Sequence, residues 1–276
     1  MYSWLSAIII ILGIFIFLEI LVHIHTKDVI TIHEPIIKNN TKSKIPRVIY
    51  RTWYSKTLNS YMYKVAYESW IKLNPDYTMI WNDHDARDEY MKNFGQREYK
   101  AYRKLIPGAY KADLWRACIL YEKGGIYVDS YAVPLVSIDE MIVRSELNDE
   151  DNIFIASVDG SSGIHNGFII ATPKHPFLKQ YIKDMVINIE QEKNDNILAI
   201  TGPVCLEQSI QHVLNITPIK YYLFTHVWGF YQFITDNDKN LLCKKYDILY
   251  CYIYLKLLIS DHRNYLYSYS NNKIYN

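Results

Sequence analysis

The chain has 276 residues, half of them hydrophobic, and its 30 basic and 29 acidic residues leave a net charge of +1. That length accommodates one large α/β domain with a full core. The near-neutral balance lacks the basic footprint of a nucleic-acid-binding protein, so no nucleic-acid partner is expected.

From residue 2 to 24 the sequence is an apolar run, YSWLSAIIIILGIFIFLEILVHI, broken by Glu19 and His23. At about 1.5 Å per helical residue it reaches across a hydrocarbon core of about 30 Å. It has neither the basic start nor the small-residue cleavage site of a signal peptide, so residues 1–24 are predicted to be a single-pass membrane anchor. Lys27, the nearest positive charge, taken alone favours a cytosolic domain. Two glycosylation sequons, at Asn39 and Asn215, are usable only in a lumen. Residues 25–44 are polar and irregular and read as a stem, and residues 45–276 as the domain. The four cysteines (Cys118, Cys205, Cys243, Cys251) have no metal-like spacing. Buried thiols are the expected state, with a Cys243–Cys251 pair as the alternative.

The domain opens with the apolar strand VIYRTW, followed by a helical pattern through Tyr61, Val65, Trp70 and Leu73 that stops at Asn74-Pro75. YTMIWND reads as a second strand, and a charged, helix-rich stretch runs on to Pro107. Further strands are expected at NIFIASVDG and GFIIATP, with helices after Pro176 and after the Thr201-Gly202-Pro203 turn. Strands alternating with helices predict an α/β fold around a mostly parallel sheet. Beyond Lys220 the chain is dense in Tyr and Leu and shows few turn signals.

Residues 109–134, AYKADLWRACILYEKGGIYVDSYAVP, carry the densest chemistry. Asp113 and Arg116 are three apart on a predicted helix and share a face. Gly124 and Gly125 supply a helix stop. In the strand IYVD, Ile126 and Val128 point one way, Tyr127 and Asp129 the other. Ligands of open α/β sheets bind beyond the carboxyl ends of strands, where Asp129 falls. Two carboxylates and a guanidinium at one such edge suit a sugar-phosphate ligand. The competing reading is an ordinary surface Asp–Arg pair with a turn aspartate.

The order of IPRVIYRTW, SWIKLNPDYTMIWND and the 109–129 block resembles the family 32 glycosyltransferases, which carry a DXD sugar-binding motif. The resemblance continues through Asn166-Gly167-Phe168, His175-Pro176 and Thr201-Gly202-Pro203, covering about residues 45–205. It implies a GT-A-like single domain, a nucleotide-sugar donor, a glycan or glycolipid acceptor, a divalent cation (Mn²⁺ or Mg²⁺) and retention of anomeric configuration. It also implies a membrane enzyme facing a Golgi- or ER-type lumen, against the Lys27 reading. By position, Asp129 is the motif's first aspartate, catalytic and metal-binding; Arg116 is catalytic and, with Asp113, contacts sugar and ribose. Tyr127 lies on the same strand face, and Trp53 matches an aromatic near the base, with core packing as its alternative. Apart from the resemblance, Asp83 is a candidate substrate contact against a loop-stabilising role, and Asp159 a candidate second acidic metal ligand or acceptor-side group.

One departure stands out: the motif reads Asp129-Ser130-Tyr131, with tyrosine where the second aspartate belongs. A neutral phenol is a poor ligand for a hard cation. The resemblance therefore leaves three outcomes: a metal held by Asp129 and phosphates, metal-free catalysis leaning on Arg116, or a relative that binds donor without turning it over.

Overall fold

The computed structural model describes residues 44–54, 56–58, 61–148, 152–159, 163–194, 196, 198–227, 231–236, 239–245 and 274–275, with positions 13, 14, 16, 17, 20, 30 and 31. Of the expected anchor, Gly13, Ile14, Ile16, Phe17 and Ile20 are helical and exposed; the rest of 1–24 and most of 25–44 lie outside the described residues. Among the described residues no helix is long and apolar enough to cross a membrane. Within the predicted stem, β1 (Ile30–Thr31) pairs antiparallel with β3 (Thr57–Leu58).

The expected strand VIYRTW is β2 (Val48–Thr52), and YTMIWND is β4 (Thr78–Asn82); the helix α1 (Tyr61–Leu73) joins them. Helices α2 (His84–Phe94), α3 (Gln96–Lys104) and α4 (Gly108–Lys123) follow, then β5 (Gly125–Val128), β6 (Val133–Pro134) and α5 (Ile138–Arg144). The second half contributes β7 (Phe154–Asp159), β8 (Gly163–Ala171), α6 (Pro176–Glu190), α7 (Pro203–Leu214), β9 (Tyr222–Val227), β10 (Tyr231–Asp236) and β11 (Lys239–Lys245).

Among the described residues nine strands form one sheet in the order β4-β2-β5-β8-β7-β9-β10-β11-β6. β4, β2 and β5 run parallel, β9 runs parallel to β7, and β8 opposes both β5 and β7. The central part is thus mostly parallel with one reversed strand. The reversal has a simple cause: three residues separate β7 from β8, whereas a parallel connection needs a crossover of about a dozen. β10, β11 and β6 then extend the sheet by antiparallel pairing. β10 and β11 belong to the tyrosine-rich region beyond Lys220, which shows few turn signals in sequence.

Helices cover both faces. One core cluster packs Tyr127 with Leu114, Trp115 and Cys118 of α4 and with Tyr181 and Met185 of α6. The other packs Ile126 and Val128 with Trp70 of α1 and Ile138 and Met141 of α5. The alternation expected along β5 is therefore real, although both faces are buried. Cys118 and Cys205 are buried free thiols, as expected; the Cys243 and Cys251 side chains lie outside the described residues.

Helix α4 stops where the glycine pair predicts. The Gly124 amide donates to the Leu120 carbonyl at 2.8 Å, and its φ is 67°. A Cβ there would sit 2.6 Å from Pro173 Cδ, so the chain can reverse from α4 into β5 at this point only with glycine.

Candidate active site

The carboxyl ends of β2, β4 and β5 and the start of β8 lie at one edge of the sheet. There α4 delivers Asp113 and Arg116, β5 delivers Tyr127, and the following loop delivers Asp129. The spacing of three on α4 brings the first two together: Arg116 Nη2 lies 3.0 Å from Asp113 Oδ1. Arg116 Nη1 lies 3.8 Å from Asp129 Oδ1 and donates to the Asn166 carbonyl at 2.6 Å. The guanidinium carbon stands 4.3 Å from the centre of the Tyr127 ring, a cation–π contact.

Each carboxylate has its own donors. Asp113 accepts from Thr201 Oγ1 at 2.8 Å and Asn166 Nδ2 at 3.0 Å. The Tyr181 hydroxyl, which donates to the Thr201 carbonyl, holds that corner. Asp129 accepts from the Tyr127 hydroxyl at 3.1 Å on Oδ1 and from the Tyr131 hydroxyl at 3.3 Å on Oδ2. The turn after β5 brings the Tyr131 hydroxyl to Asp129, where it serves as a donor. Of the three charged side chains Asp129 is the most open, 18% exposed against 10% for Asp113 and 7% for Arg116. Asp129 is thus the most accessible of the three, and the other two are more deeply buried.

Burial pushes the Asp113 carboxyl up to about 6, against the pull of Arg116 and of its Thr201 and Asn166 donors. Burial also works against the Arg116 cation, but Tyr127, Asp113 and Asp129 outweigh it and its pKa is raised. Burial raises the Tyr127 phenol, with Asp129 and Asp113 adding to it, so it stays a hydroxyl donor. At neutral pH the site is a buried ion pair carrying a second, more open carboxylate.

Several residues that build this site carried no functional assignment in the sequence. Arg51, fully buried on β2, donates through Nη2 to the carbonyls of Asp129 (3.1 Å), Ser130 and Ala132 (3.5 Å), clamping the motif loop. Trp70 Nε1 donates to the same Ala132 carbonyl at 2.7 Å. Asn166 and Thr201 stood within the matched motifs, which was the available signal, but their role as Asp113 holders needs long-range geometry. Nothing in the local sequence marks Arg51, since a charged residue inside a strand ordinarily points to solvent.

The remaining predicted positions are less central. Trp53 is half-buried after β2 and packs with Tyr67 and Tyr131 around Trp81, which puts an aromatic surface beside the motif loop. Asp83 is the N-cap of α2: its Oδ1 accepts from the Ala86 amide at 2.9 Å. Asp159 closes β7, but its side chain lies outside the described residues.

The donor set bears directly on the metal. Among the described residues no group of three or more His, Cys, Asp or Glu side chains is placed to hold an ion. The motif offers one carboxylate, Asp129, already bonded to two phenols, with a guanidinium 3.8 Å away. A hard divalent ion takes six or more oxygen ligands and favours carboxylates. Among the described residues Asp129 alone offers a carboxylate there, enough to share a hard cation with phosphate and water oxygens but not to cage one.

Gly167 is the close approach that shapes the site. Its carbonyl accepts the Asp129 amide at 2.9 Å, and a Cβ on it would lie 2.5 Å from both Asp129 Oδ2 and His165 Cε1. Gly167→Ala is expected to displace the Asp129 carboxylate and cut donor turnover about 10- to 100-fold, since misplacing a reacting group by about 1 Å costs that much. An unchanged circular dichroism spectrum beside the kinetic loss confirms a local effect.

Against this geometry, comparison with known proteins gives a consistent class. The model of the glycosyltransferase sugar-binding region containing DXD motif matches residues 60–148. Inositol phosphoceramide mannosyltransferase 3 of Schizosaccharomyces pombe is 27% identical over 158 residues, 54% of this chain and 39% of that protein. Glycosyltransferase L373 of Acanthamoeba polyphaga mimivirus is 26% identical over 217 residues, 76% of this chain and 80% of that protein. Among solved structures, the PaToxG glycosyltransferase superposes with a TM-score of 0.50 at 17% identity, covering 66% of this chain and 71% of its own. Residues 60–148 thus resemble a glycosyltransferase sugar-binding region, and the mixed α/β fold is shared with a solved glycosyltransferase. The chain spans less than half the length of the yeast mannosyltransferases it matches.

Proposed function

We propose that the protein transfers a hexose, mannose or galactose, from a nucleotide sugar to a hydroxyl of a glycan or glycolipid. The observation that carries this reading is the convergence of Asp113, Arg116 and the more exposed Asp129 at the carboxyl edge of the sheet. The names of the yeast relatives, which pair mannosyl transfer with inositol phosphoceramide, support mannose as the sugar and a glycolipid as the acceptor. A membrane-anchored protein acting on a lumenal face, with residues 1–24 as the anchor and 25–44 as the stem, belongs to the same proposal.

In this reading Asp129, aimed outward by Tyr127 and Tyr131, meets the donor sugar or ribose. Asp113 and Arg116 set the charge and shape of the floor, Trp53 faces the base, and Asp83 holds the β4–α2 corner beside it. With no side chain among the described residues placed as a nucleophile, retention follows a front-face course. The anomeric carbon–phosphate oxygen bond breaks, the acceptor oxygen bonds to the same face, and its proton passes to the departing phosphate. Fixed positive charge near that phosphate lowers the barrier.

Hydrolysis of UDP- and GDP-hexoses, with Mn²⁺, Mg²⁺ or chelator present, tests the proposal. One donor is expected to be hydrolysed, and the response to chelator reads whether a cation is shared between Asp129 and the donor phosphates. Complete loss on chelation would put a cation at Asp129. Tyr131 also motivates a second reading, a relative that binds donor and does not turn it over. Donor binding with no hydrolysis and no transfer would select it.

A further inference from the structure

Arg87 is a buried cation whose described contacts are only carbonyl oxygens. It projects from α2, is 3% exposed, and donates through Nε to the Asp83 carbonyl at 3.4 Å and through Nη1 to the Gly108 carbonyl at 3.5 Å. Both bonds are long and both acceptors are neutral. Among the described residues no carboxylate forms an ion pair with it. Asp88, its neighbour in α2, is engaged by Arg103 at 3.3 Å and the Tyr99 hydroxyl at 3.1 Å. Burial pulls the Arg87 pKa down; the groups around it are the phenols of Tyr102, Tyr127 and Tyr54 and a second cation, Arg116.

Two neighbours share its state. The Tyr102 side chain is fully buried and its hydroxyl has no hydrogen-bond partner among the described residues. Lys111, on the first turn of α4, holds its Nζ 5.2 Å from the centre of the Tyr102 ring, and burial lowers its pKa as well. A guanidinium removed from water with only weak carbonyl bonds costs several kcal/mol unless an anion joins it. A guanidinium, an unfilled hydroxyl donor and the Lys111 ammonium together ask for an oxyanion. Their position suits one: Asp83 follows the carboxyl end of β4, and Gly108 opens the helix that carries Asp113 and Arg116.

We propose that Arg87 binds the diphosphate of the nucleotide-sugar donor from the α2 side, supplying fixed positive charge where the Asp-Ser-Tyr motif lacks its second acid. Its planar fork and permanent charge match phosphate oxygens. The inference rests on the donor-site reading above and adds the residue that receives the leaving group.

The test uses Arg87→Met and Arg87→Lys in the full chain, titrated with UDP, GDP, inorganic pyrophosphate and the nucleosides uridine and guanosine, alongside melting without ligand. A residue awaiting an anion should be removable without loss. Arg87→Met is expected to melt at or above the wild-type temperature, and to bind the diphosphates about 10- to 100-fold more weakly with nucleoside binding unchanged. Arg87→Lys keeps the charge without the fork and should fall between. Wild-type diphosphate affinity in both variants would overturn the assignment of Arg87 alone. So would a lower melting temperature with nucleosides and diphosphates weakened alike, the behaviour of a structural strut. If the wild type itself takes no diphosphate, the donor-site reading falls as well.

Discussion

Arg116→Met is expected to lower folding stability by about 3–5 kcal/mol, the range for removing one partner of a buried ion pair. The guanidinium that contacts Asp113 at 3.0 Å also touches the Asn166 carbonyl and the Tyr127 ring, and methionine restores only the volume. The loss should depend on pH in a set direction. Burial already holds Asp113 at about 6, above its value in the unfolded chain, with Arg116 opposing that rise. A group raised in this way binds its proton more tightly in the folded state, so its contribution is complete at low pH and is lost as pH rises through the folded pKa. Without Arg116 that pKa climbs further. The gap between wild type and variant should therefore be small near pH 4 and widen toward pH 8, as read by urea unfolding at each pH. A gap independent of pH would mean that Asp113 is not the group left uncompensated.

Asp129→Asn is the complementary case, with a large effect on chemistry and a small one on the fold. The carboxylate is the most open of the three charged groups and is held by two phenols that can turn to suit an amide. Stability should change by about 1 kcal/mol or less. Donor hydrolysis should fall about 10²- to 10³-fold, the cost of removing one preorganised charge-stabilising group. A variant with near wild-type turnover would place the reacting centre elsewhere. The contrast between the two substitutions follows from their packing: the Arg116 side chain is 7% exposed and that of Asp129 18%.

Local periodicity sufficed for much of this architecture. The spacing of Asp113 and Arg116 fixes their pairing on α4, and Gly124 ends that helix. The alternation in Ile126-Tyr127-Val128-Asp129 sends Asp129 to the carboxyl edge of the sheet. What stayed illegible depends on contacts distant in sequence. Arg51 reaches the motif loop across 78 residues, and Thr201 reaches Asp113 across 88; no window of local pattern contains either pair. Asp83 is ambiguous for the opposite reason, because an aspartate before a helix is equally a cap and a ligand, and here it caps. The β9–β11 region has no helical period to separate its strands, so its antiparallel extension of the sheet emerges only from pairing. The replacement of an acid by Tyr131 was visible at once; that its hydroxyl donates to Asp129 required the geometry.

The central claim is that Asp113, Arg116 and Asp129 form a nucleotide-sugar donor site. Calorimetric titration of UDP- and GDP-hexoses into the wild type and into Asp129→Asn tests it most directly. One donor family should bind the wild type at a single site, and the folded Asp129→Asn variant should bind it at least tenfold more weakly, about 1.4 kcal/mol. Equal affinity in the two proteins, or no binding of either donor family to the wild type, would contradict the account.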